Sequence, residues 1–161
     1  MDDLVLRPAT PEDAPEVAEI WCNGWRDGHL GGVPEELVAV RTPESFRNRA
    51  ANRVADTTVA TVGGKLAGFT MVADDEVEQV YVAKEYRGTG VAARLLSEAE
   101  RKIAQAGHQI AWLVAVASNA RARAFYTRQG WTDGGPFLYQ AHTENGPIPV
   151  PSHRYTKRLT L

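Results

Sequence analysis

The segment from Val77 to Glu100 constrains the fold of this chain more than any other stretch, because it joins a strand to a helix through glycines. Its sequence, VEQVYVAKEYRGTGVAARLLSEAE, reads as a strand, a charged loop, a turn and a helix with apolar residues at helical spacing. The first N–H groups of a helix have no partner within it, and the helix dipole places partial positive charge there. Gly88 and Gly90 would let an anion approach those groups, with Arg87 beside them. The segment therefore predicts either a phosphate-binding turn or an ordinary glycine turn.

The residues on either side of this segment predict the sheet that holds it. Three stretches rich in β-branched residues predict an antiparallel meander: 57–62, 65–73 and 77–82. After the helix, which Gly107 ends, the near-continuous apolar run 110–117 predicts a strand buried on both faces. A strand, a crossover helix and a second buried strand form a right-handed parallel unit. We therefore expect strands 77–82 and 110–117 to lie parallel.

The first third of the chain predicts two helices that begin with the same capping pattern. Thr10 and Thr42 each precede a proline, which places an N-cap residue before a proline at the first helical position. The first helix carries Trp21 and Trp25 on one apolar face, and the stretch 28–41 after it predicts an irregular connection. We expect three arginines of the second helix to form a solvated face: Arg47, Arg49 and Arg53.

The last third predicts one further helix and a pair of strands. Asn119 begins a helix that contains Tyr126 and ends at Gly130. The two predicted strands span 131–141 and 153–160, and the prolines between them are expected to form the connection. The predicted fold class is α+β, with a mixed, mostly antiparallel sheet of about six to seven strands flanked by about four helices. We expect residues 1–161 to form a single domain.

Composition argues against several classes of partner. The formal net charge of −2 gives no reason to expect nucleic acid or an anionic membrane, and no apolar run approaches the roughly 20 residues of a membrane span. The single cysteine, Cys22, excludes an internal disulfide and is expected to be a packing residue. The four histidines lack ligand spacing, so we expect no metal. The acidic start Met1-Asp2-Asp3 does not resemble a signal peptide, and a cytoplasmic location is expected.

A dinucleotide site is the first alternative for the glycine turn, because residues 88–93 match the pattern G-x-G-x-x-A. In that kind of site the strand runs directly into the first glycine, yet here the charged residues of 83–87 intervene. An acid should also end the next strand to bind the ribose, and the stretch 112–119 contains none. The chain after Ala93 is too short for a doubly wound sheet, so this alternative is rejected.

Two blocks of sequence instead resemble the GCN5-related N-acetyltransferase (GNAT) family. Arg87-x-x-Gly90-x-Ala92 follows a strand and opens a helix, as does the Gln/Arg-x-x-Gly-x-Gly/Ala signature of that family. The second block is Asn119-x-x-Ala122-x-x-Phe125-Tyr126-x-x-x-Gly130-Trp131. The order of elements resembles the family over essentially the whole chain. Ala92 stands where many members have glycine and Trp131 where phenylalanine is usual, and neither change removes a required donor.

The resemblance implies acetyl-CoA as co-substrate and a set of residues that contact it. The implied contacts are Val80, Tyr81, Val82, Arg87, Gly88, Thr89, Gly90, Val91, Ala92 and Asn119. Tyr126 would lie near the sulfur and donate its phenolic proton, although a tyrosine at this place can also be a core residue with a wet tip. Asn119 can be a helix cap as well as a ligand. Glu78 is expected on one strand face with Val80 and Val82, where it would relay the amine proton or be a surface acid.

The function implied is direct transfer of an acetyl group from acetyl-CoA to a primary amine of a small molecule. A protein N-terminus or a lysine is the second kind of acceptor, and a non-catalytic acyl-CoA sensor is the alternative from another class. Acceptor selection would fall to residues 25–40 and 139–153, which flank the expected site. A homodimer is possible.

Overall fold

The computed structural model describes residues 3–160, which build a seven-stranded sheet with helices packed on it. The strands are β1 (Leu4–Pro8), β2 (Thr57–Val62), β3 (Lys65–Ala73), β4 (Glu76–Val82), β5 (Ile110–Val116), β6 (Thr132–Ala141) and β7 (Ile148–Arg158). The α-helices are α1 (Ala14–His29), α2 (Glu35–Val40), α3 (Pro43–Asn52), α4 (Val91–Gln105) and α5 (Ala120–Arg128). Short 3-10 turns occupy Pro11–Asp13, Val54–Asp56 and Lys84–Tyr86.

The sheet has the strand order β1-β2-β3-β4-β5-β7-β6, and β4 and β5 are its parallel pair. All other neighbouring strands in the described sheet are antiparallel, which confirms the predicted mixed, mostly antiparallel architecture. The pairing of β4 with β5 consists of one register pair, Glu76 with Trp112, within residues 3–160. The backbone N–H of Trp112 also donates to the oxygen of Asp75 at 3.1 Å. Beyond this junction the two strands separate, and a gap opens in the middle of the sheet.

Alternating residues of β3 show how the two faces of the sheet are covered. Phe69 and Met71 enter a core cluster with the tryptophans of α1 and with Phe46 of α3. Gly68, the residue before Phe69, faces the other side, since a Cβ built on it would lie 3.0 Å from Cδ1 of Leu95 on α4. Successive side chains of a strand point to opposite faces, so α1 and α3 cover one face and α4 the other. Cys22 is buried in the first cluster, as expected for a packing residue.

A β-bulge in β4 changes the direction of its side chains. Met71 pairs with Gln79 and Val72 with Val77, so Glu78 is the extra residue of the ladder. Val80 and Val82 pack in the clusters built around α4. The Glu78 carboxylate instead forms an ion pair with Arg53, which follows α3. The expectation that Glu78 shares a strand face with Val80 and Val82 is therefore wrong, because it assumed unbroken alternation.

Two further expectations need correction. The stretch 28–41 was expected to be irregular, yet α1 continues to His29 and the short helix α2 covers Glu35–Val40, so the described chain has five α-helices. The last strand was expected to begin at 153, yet β7 begins at Ile148 and includes Pro149 and Pro151. Those prolines lie where β7 pairs only with β6 and has passed the end of β5, so the missing N–H groups weaken no central ladder.

The capping predictions are confirmed by hydrogen bonds. The Thr42 hydroxyl accepts from the N–H of Ser45 at 3.1 Å, and the Asn119 side-chain oxygen accepts from the N–H of Ala122 at 3.2 Å. Thr10 and Asp13 form a capping box before α1. No helix within residues 3–160 combines the length and the apolar character needed to cross a membrane.

Candidate active site

A cavity of about 670 Å³ lies where β4 and β5 separate. Residues of both strands line it, among them Glu76 and Tyr81 on β4 and Val116 on β5. Asn119 and Tyr126 bring α5 to one side of the cavity. The opposite wall comes from α1, α3 and the end of β6, with contributions from Trp25, His29, Arg49, Tyr139 and His142. The structure thus brings the second sequence block beside the strand that precedes the glycine turn.

The edge of β4 presents unpaired backbone groups to this gap. The N–H of Ala83 donates to the oxygen of Ala67 on β3 at 2.8 Å. In an antiparallel pair the direction of the backbone groups alternates along the strand. The N–H and C=O groups of Val80 and Val82 therefore point away from β3 and toward the gap. An extended, amide-containing ligand arm could pair with them as an additional strand would.

The glycine turn at the N-terminus of α4 has the conformation that an anion site requires. Gly88 and Gly90 adopt φ of +76° and +90°, a region that other residues rarely occupy. The N–H groups of residues 88–90 donate to no backbone carbonyl in the described chain. A Cβ built on either glycine would meet no heavy atom within 4 Å, so the space over the turn is open. The turn therefore offers oriented N–H donors, at a positive helix end, to a ligand.

Arg87 directly precedes this turn, and its side chain is paired with an acid of α1. Its Nη2 donates to the Asp27 carboxylate of α1 at 2.8 Å, and this contact lowers the pKa of Asp27. The Thr89 hydroxyl donates to the carbonyl of Tyr86 and closes the turn on itself. Val91 is buried and Ala92 half-buried at the start of α4, so these two residues can offer a ligand only their backbone N–H groups.

Asn119 has two roles available at once. Its side-chain oxygen caps α5, which leaves the amide Nδ2 for another partner. A Cβ added at Gly28 would lie 2.6 Å from Nδ2, so the absence of a side chain at Gly28 lets α1 approach this amide closely. Because Asn119 also lines the cavity, its amide group is placed to donate to a ligand there.

Tyr126 lines the cavity from α5 and packs against Tyr155 with ring centroids 5.9 Å apart. Burial raises the pKa of its phenol to about 12, with a smaller contribution from Tyr155. The Tyr126 hydroxyl has no hydrogen-bond partner among residues 3–160. Tyr126 is therefore a neutral donor over the whole physiological pH range. Burial raises the pKa of Tyr81, across the cavity, in the same direction.

Two acids of β4, Glu76 and Glu78, line the cavity, and they differ in their charged neighbours. Glu78 is ion-paired with Arg53, whose guanidinium also contacts Asp56 at 3.0 Å. Glu76 has no salt-bridge partner in the described chain. Burial, together with the nearby carboxylates of Glu78 and Asp75, raises the pKa of Glu76 to about 7 against the opposing charges of Arg154 and Arg53. Glu76 is thus half ionised near neutral pH, as suits a proton acceptor.

Sequence reasoning did not single out Glu76. The signal available was the pair of acids in Glu76-Val77-Glu78 at the start of a strand otherwise made of apolar residues. Strand spacing alone could not rank the two acids, since the ranking depends on Arg53, which is brought to Glu78 by tertiary packing.

The expectation of a solvated arginine face on the second helix is also wrong in part. Arg47 is exposed, but Arg49 and Arg53 are half-buried cavity residues. Arg49 lies over the ring of Trp21, with its Cζ 4.2 Å from the ring centroid. Arg53 holds the Glu78 carboxylate. Within residues 3–160, no group of three or more His, Cys, Asp or Glu side chains is arranged to hold a metal ion.

Comparison with known proteins identifies the family. The family model described as an acetyltransferase (GNAT) domain matches residues 11–145, so the chain belongs to the GNAT acetyltransferase family. An uncharacterised N-acetyltransferase of Mycobacterium tuberculosis (strain ATCC 25618 / H37Rv) is 32% identical over 94 residues, which cover 54% of this chain and 60% of the relative. The matched segment thus spans about three fifths of the length of the curated relatives.

Solved structures show the same fold. A GCN5-related N-acetyltransferase from Rhodopseudomonas palustris superposes with a TM-score of 0.75 at 24% identity, and the match covers 96% of this chain and 95% of that one. The PaiA N-acetyltransferase from Thermoplasma acidophilum, solved in complex with coenzyme A, has a TM-score of 0.71 at 18% identity, covering 96% and 98%. The fold and the family predicted from the two sequence blocks are therefore confirmed.

The open turn leads to a prediction for Gly90. Gly90→Val places a β-branched residue at a φ of +90° and puts a side chain over the N–H groups, so acetyl-CoA binding measured by calorimetry should weaken at least tenfold. Gly64→Val is the matched control, because Gly64 has a φ of +81° in the β2–β3 hairpin, away from the cavity. It should lose stability to a similar degree and keep its affinity. Equal affinities in two folded variants would contradict the assignment of the turn as an anion site.

Proposed function

We propose that this protein is an acetyl-CoA-dependent N-acetyltransferase that transfers the acetyl group directly to a primary amine within a ternary complex. The observation that carries the proposal is the gap between β4 and β5. The open glycine turn follows the end of β4 at one side of this gap, and the cavity with Glu76 and Tyr126 lies at the other. Membership of the GNAT family agrees with this assignment.

The residues present fit acetyl-CoA along the whole gap. The N–H groups of residues 88–92 would hold the pyrophosphate, with Arg87 as a cation beside it. The backbone of residues 80–82 and the amide of Asn119 would pair with the pantetheine arm. When bound, acetyl-CoA supplies a thioester carbonyl for the amine to attack and a thiolate as leaving group.

Tyr126 would act as a hydrogen-bond donor to the leaving sulfur. The reference pKa of a thiol is about 8.5, so complete proton transfer from a phenol with a pKa of about 12 is uphill. A hydrogen bond that strengthens as negative charge develops on sulfur still stabilises the transition state. Because burial raises the pKa of Tyr126, its hydroxyl keeps its proton and can donate a hydrogen bond throughout the physiological pH range.

The proton lost by the amine needs an acceptor, and two acids remain candidates. Glu78 was the sequence-based candidate, and its carboxylate is already engaged in the ion pair with Arg53. We favour Glu76, because it lines the cavity, forms no salt bridge among the described residues and has a pKa of about 7. Glu78 would then hold Arg53 in place and, through its charge, help keep the pKa of Glu76 high.

A small-molecule amine is the favoured acceptor, since one wall of the cavity is built from buried and half-buried side chains of α1, α3 and β6, among them Trp25, Arg49 and Tyr139. A protein N-terminus or a lysine is the other kind of acceptor, and an acyl-CoA sensor would require no acid or base beside the sulfur. The deciding experiment incubates the protein with acetyl-CoA and a panel of amines, and follows the release of free thiol together with the acetylated product. Sustained turnover is expected. Binding of acetyl-CoA without turnover on small amines, peptides or proteins would indicate a sensor.

Removal of the Tyr126 hydroxyl tests its assignment as donor. Tyr126→Phe keeps the ring and its contact with Tyr155, so the melting temperature and the acetyl-CoA affinity should hardly change. The kcat should fall by roughly tenfold or more, which corresponds to about 1.4 kcal/mol of barrier. Single-turnover measurements ensure that chemistry is observed. An unchanged rate would assign the proton to water and return Tyr126 to a packing role.

The pH dependence of kcat/KM distinguishes whether Glu76 or Glu78 is the base. The kcat/KM of the parent should rise with an inflection near pH 7, where Glu76 loses its proton, and Glu76→Gln should remove this inflection and lower the rate by about 10²–10⁴-fold at pH 8. Glu78→Gln should keep an inflection, moved to lower pH because one neighbouring charge is gone. If Glu78→Gln causes the larger loss instead, Glu78 is the base.

The pH dependence of protein stability gives a second test of the raised pKa of Glu76. A carboxyl group whose pKa is higher in the folded state binds its proton more tightly there, so the folded state is favoured at low pH. The Glu76 contribution to the free energy of unfolding should therefore be lost as pH rises from about 5 to 8, whereas half-buried His29, whose pKa is lowered to about 4, contributes in the opposite direction. The change in the free energy of unfolding from about pH 5 to pH 8 should therefore be more positive in Glu76→Gln than in the parent. Calorimetric melting temperatures at both pH values measure the difference.

A further inference from the structure

Arg49 is an unpaired cation inside the cavity. Its Nη1 is sealed from solvent and has no hydrogen-bond partner in the described chain. The guanidinium is stacked over Trp21 and lies 5.4 Å from the ring centroid of Phe46, so the aromatic residues fix its position without satisfying its donors. Leaving a buried charged donor unpaired is costly, and such groups in proteins usually have a ligand or a charge partner.

Arg41 adds a second cation to the same wall. Its Nη2 donates to the backbone oxygen of His142 at 2.8 Å, and no salt bridge joins it to an acid within residues 3–160. Burial lowers the pKa of Arg41, and burial together with the charge of Arg41 lowers the pKa of Arg49 to about 10. Both groups therefore remain charged at neutral pH. Arg53, the third arginine of the cavity, is already neutralised by Glu78 and Asp56.

The charges left over in the cavity are of opposite sign and lie on different elements. Arg41 and Arg49 of the α2–α3 wall and Glu76 of β4 line the cavity and form no salt bridge within residues 3–160. A neutral amine with an apolar body would use only Glu76 and would leave both arginines unpaired. An acceptor that carries an anionic group as well as an amine would use all three.

We propose that the acceptor is a small amino acid-like molecule, a primary amine that also bears a carboxylate, and that Arg49, assisted by Arg41, binds this carboxylate. This inference rests on the proposed function and names the substrate class of the same site. A guanidinium presents a planar pair of donors that matches the two oxygens of a carboxylate. With the carboxylate at Arg49, the amine would be directed toward the β4 side of the cavity, where Glu76 lies.

The pyrophosphate of acetyl-CoA is not the expected partner of these arginines. Its binding turn lies at the N-terminus of α4, with Arg87 as the local cation. Arg49 instead stacks on Trp21 in the core cluster of α1 and α3. A protein N-terminus or a lysine side chain carries no carboxylate of its own close to the amine, so the unpaired arginines favour a small acceptor over a polypeptide.

The test compares matched acceptors on two variants of one helix. Each α-amino or ω-amino acid is assayed beside the amine that lacks its carboxyl group, and aminoalkylphosphonates distinguish a carboxylate site from a general anion site. The parent should prefer the acids by at least about tenfold in kcat/KM, as expected for a charge-assisted hydrogen bond. Arg49→Met should lower kcat/KM for the acids by about 10–100-fold, chiefly through KM, and should change it by a much smaller factor for the decarboxylated amines.

Arg47→Met is the control, because Arg47 lies on α3 as Arg49 does but is exposed and outside the cavity. It should change neither class of acceptor. Calorimetric affinity for acetyl-CoA should be unchanged in both variants. Should Arg49→Met fail to fold, Arg49→Lys keeps the charge and loses the paired donors, and it should weaken the acids selectively.

The outcomes separate this inference from the function on which it rests. A parent enzyme that acetylates amines lacking an acidic group as well as it acetylates acids would overturn the inference and leave the proposed function intact. The same conclusion follows if Arg49→Met reduces both acceptor classes equally. If no amine is acetylated, the proposed function fails. The carboxylate site is then tested by binding, as the change in melting temperature that amino acids produce in the presence of CoA. A shift that Arg49→Met abolishes supports the carboxylate site, and the absence of any shift refutes it.

Discussion

The whole site depends on one interruption of hydrogen bonding, the separation of β4 from β5 after the junction of Glu76 with Trp112. Asp75 holds that junction, since its backbone oxygen accepts from the Trp112 backbone at 3.1 Å and its carboxylate accepts from the indole at 2.9 Å. Past this point the β4 edge keeps polar backbone groups that the sheet does not use. Strand edges of this kind can bind an extended partner, and here residues 83–87 connect the edge to the open turn before α4.

The chain accepts several local costs around this gap, and together they leave the N–H groups of the glycine turn and the Glu76 carboxyl available to a ligand. The positive φ of Gly90 leaves the first N–H groups of α4 unpaired, the bulge in β4 turns Glu78 toward Arg53, and burial opposes the ionisation of Glu76. The core clusters on both faces of the sheet hold these groups in place, with Phe69 and Met71 on one side and Leu95 and Ile103 on the other. A rigid scaffold under unsatisfied polar groups is the usual arrangement of an enzyme site.

Electrostatics divides the cavity into two walls. Arg41 and Arg49 make the α2–α3 wall positive, while Glu76 and the donor Tyr126 lie on the side of the separating strands. Arg53 links the two walls, because it belongs to the end of α3 and binds Glu78 of β4. The charge pattern is therefore set by contacts between segments that are far apart in the chain, and the proposed acceptor preference depends on the assembled wall.

The sequence by itself determined the features that depend on neighbouring residues: the glycine turn, the Thr42 and Asn119 caps, the antiparallel meander and the parallel crossover. Backbone dihedral preferences and helix-end hydrogen bonds act over a few residues, so their patterns are legible in the chain. Only the tertiary structure decided which β4 acid is ion-paired, that Arg49 is a cavity residue, and that β7 can begin among prolines. Those outcomes depend on a bulge, on burial and on the length of a neighbouring strand, which are set by packing between distant segments and leave no local pattern in the sequence.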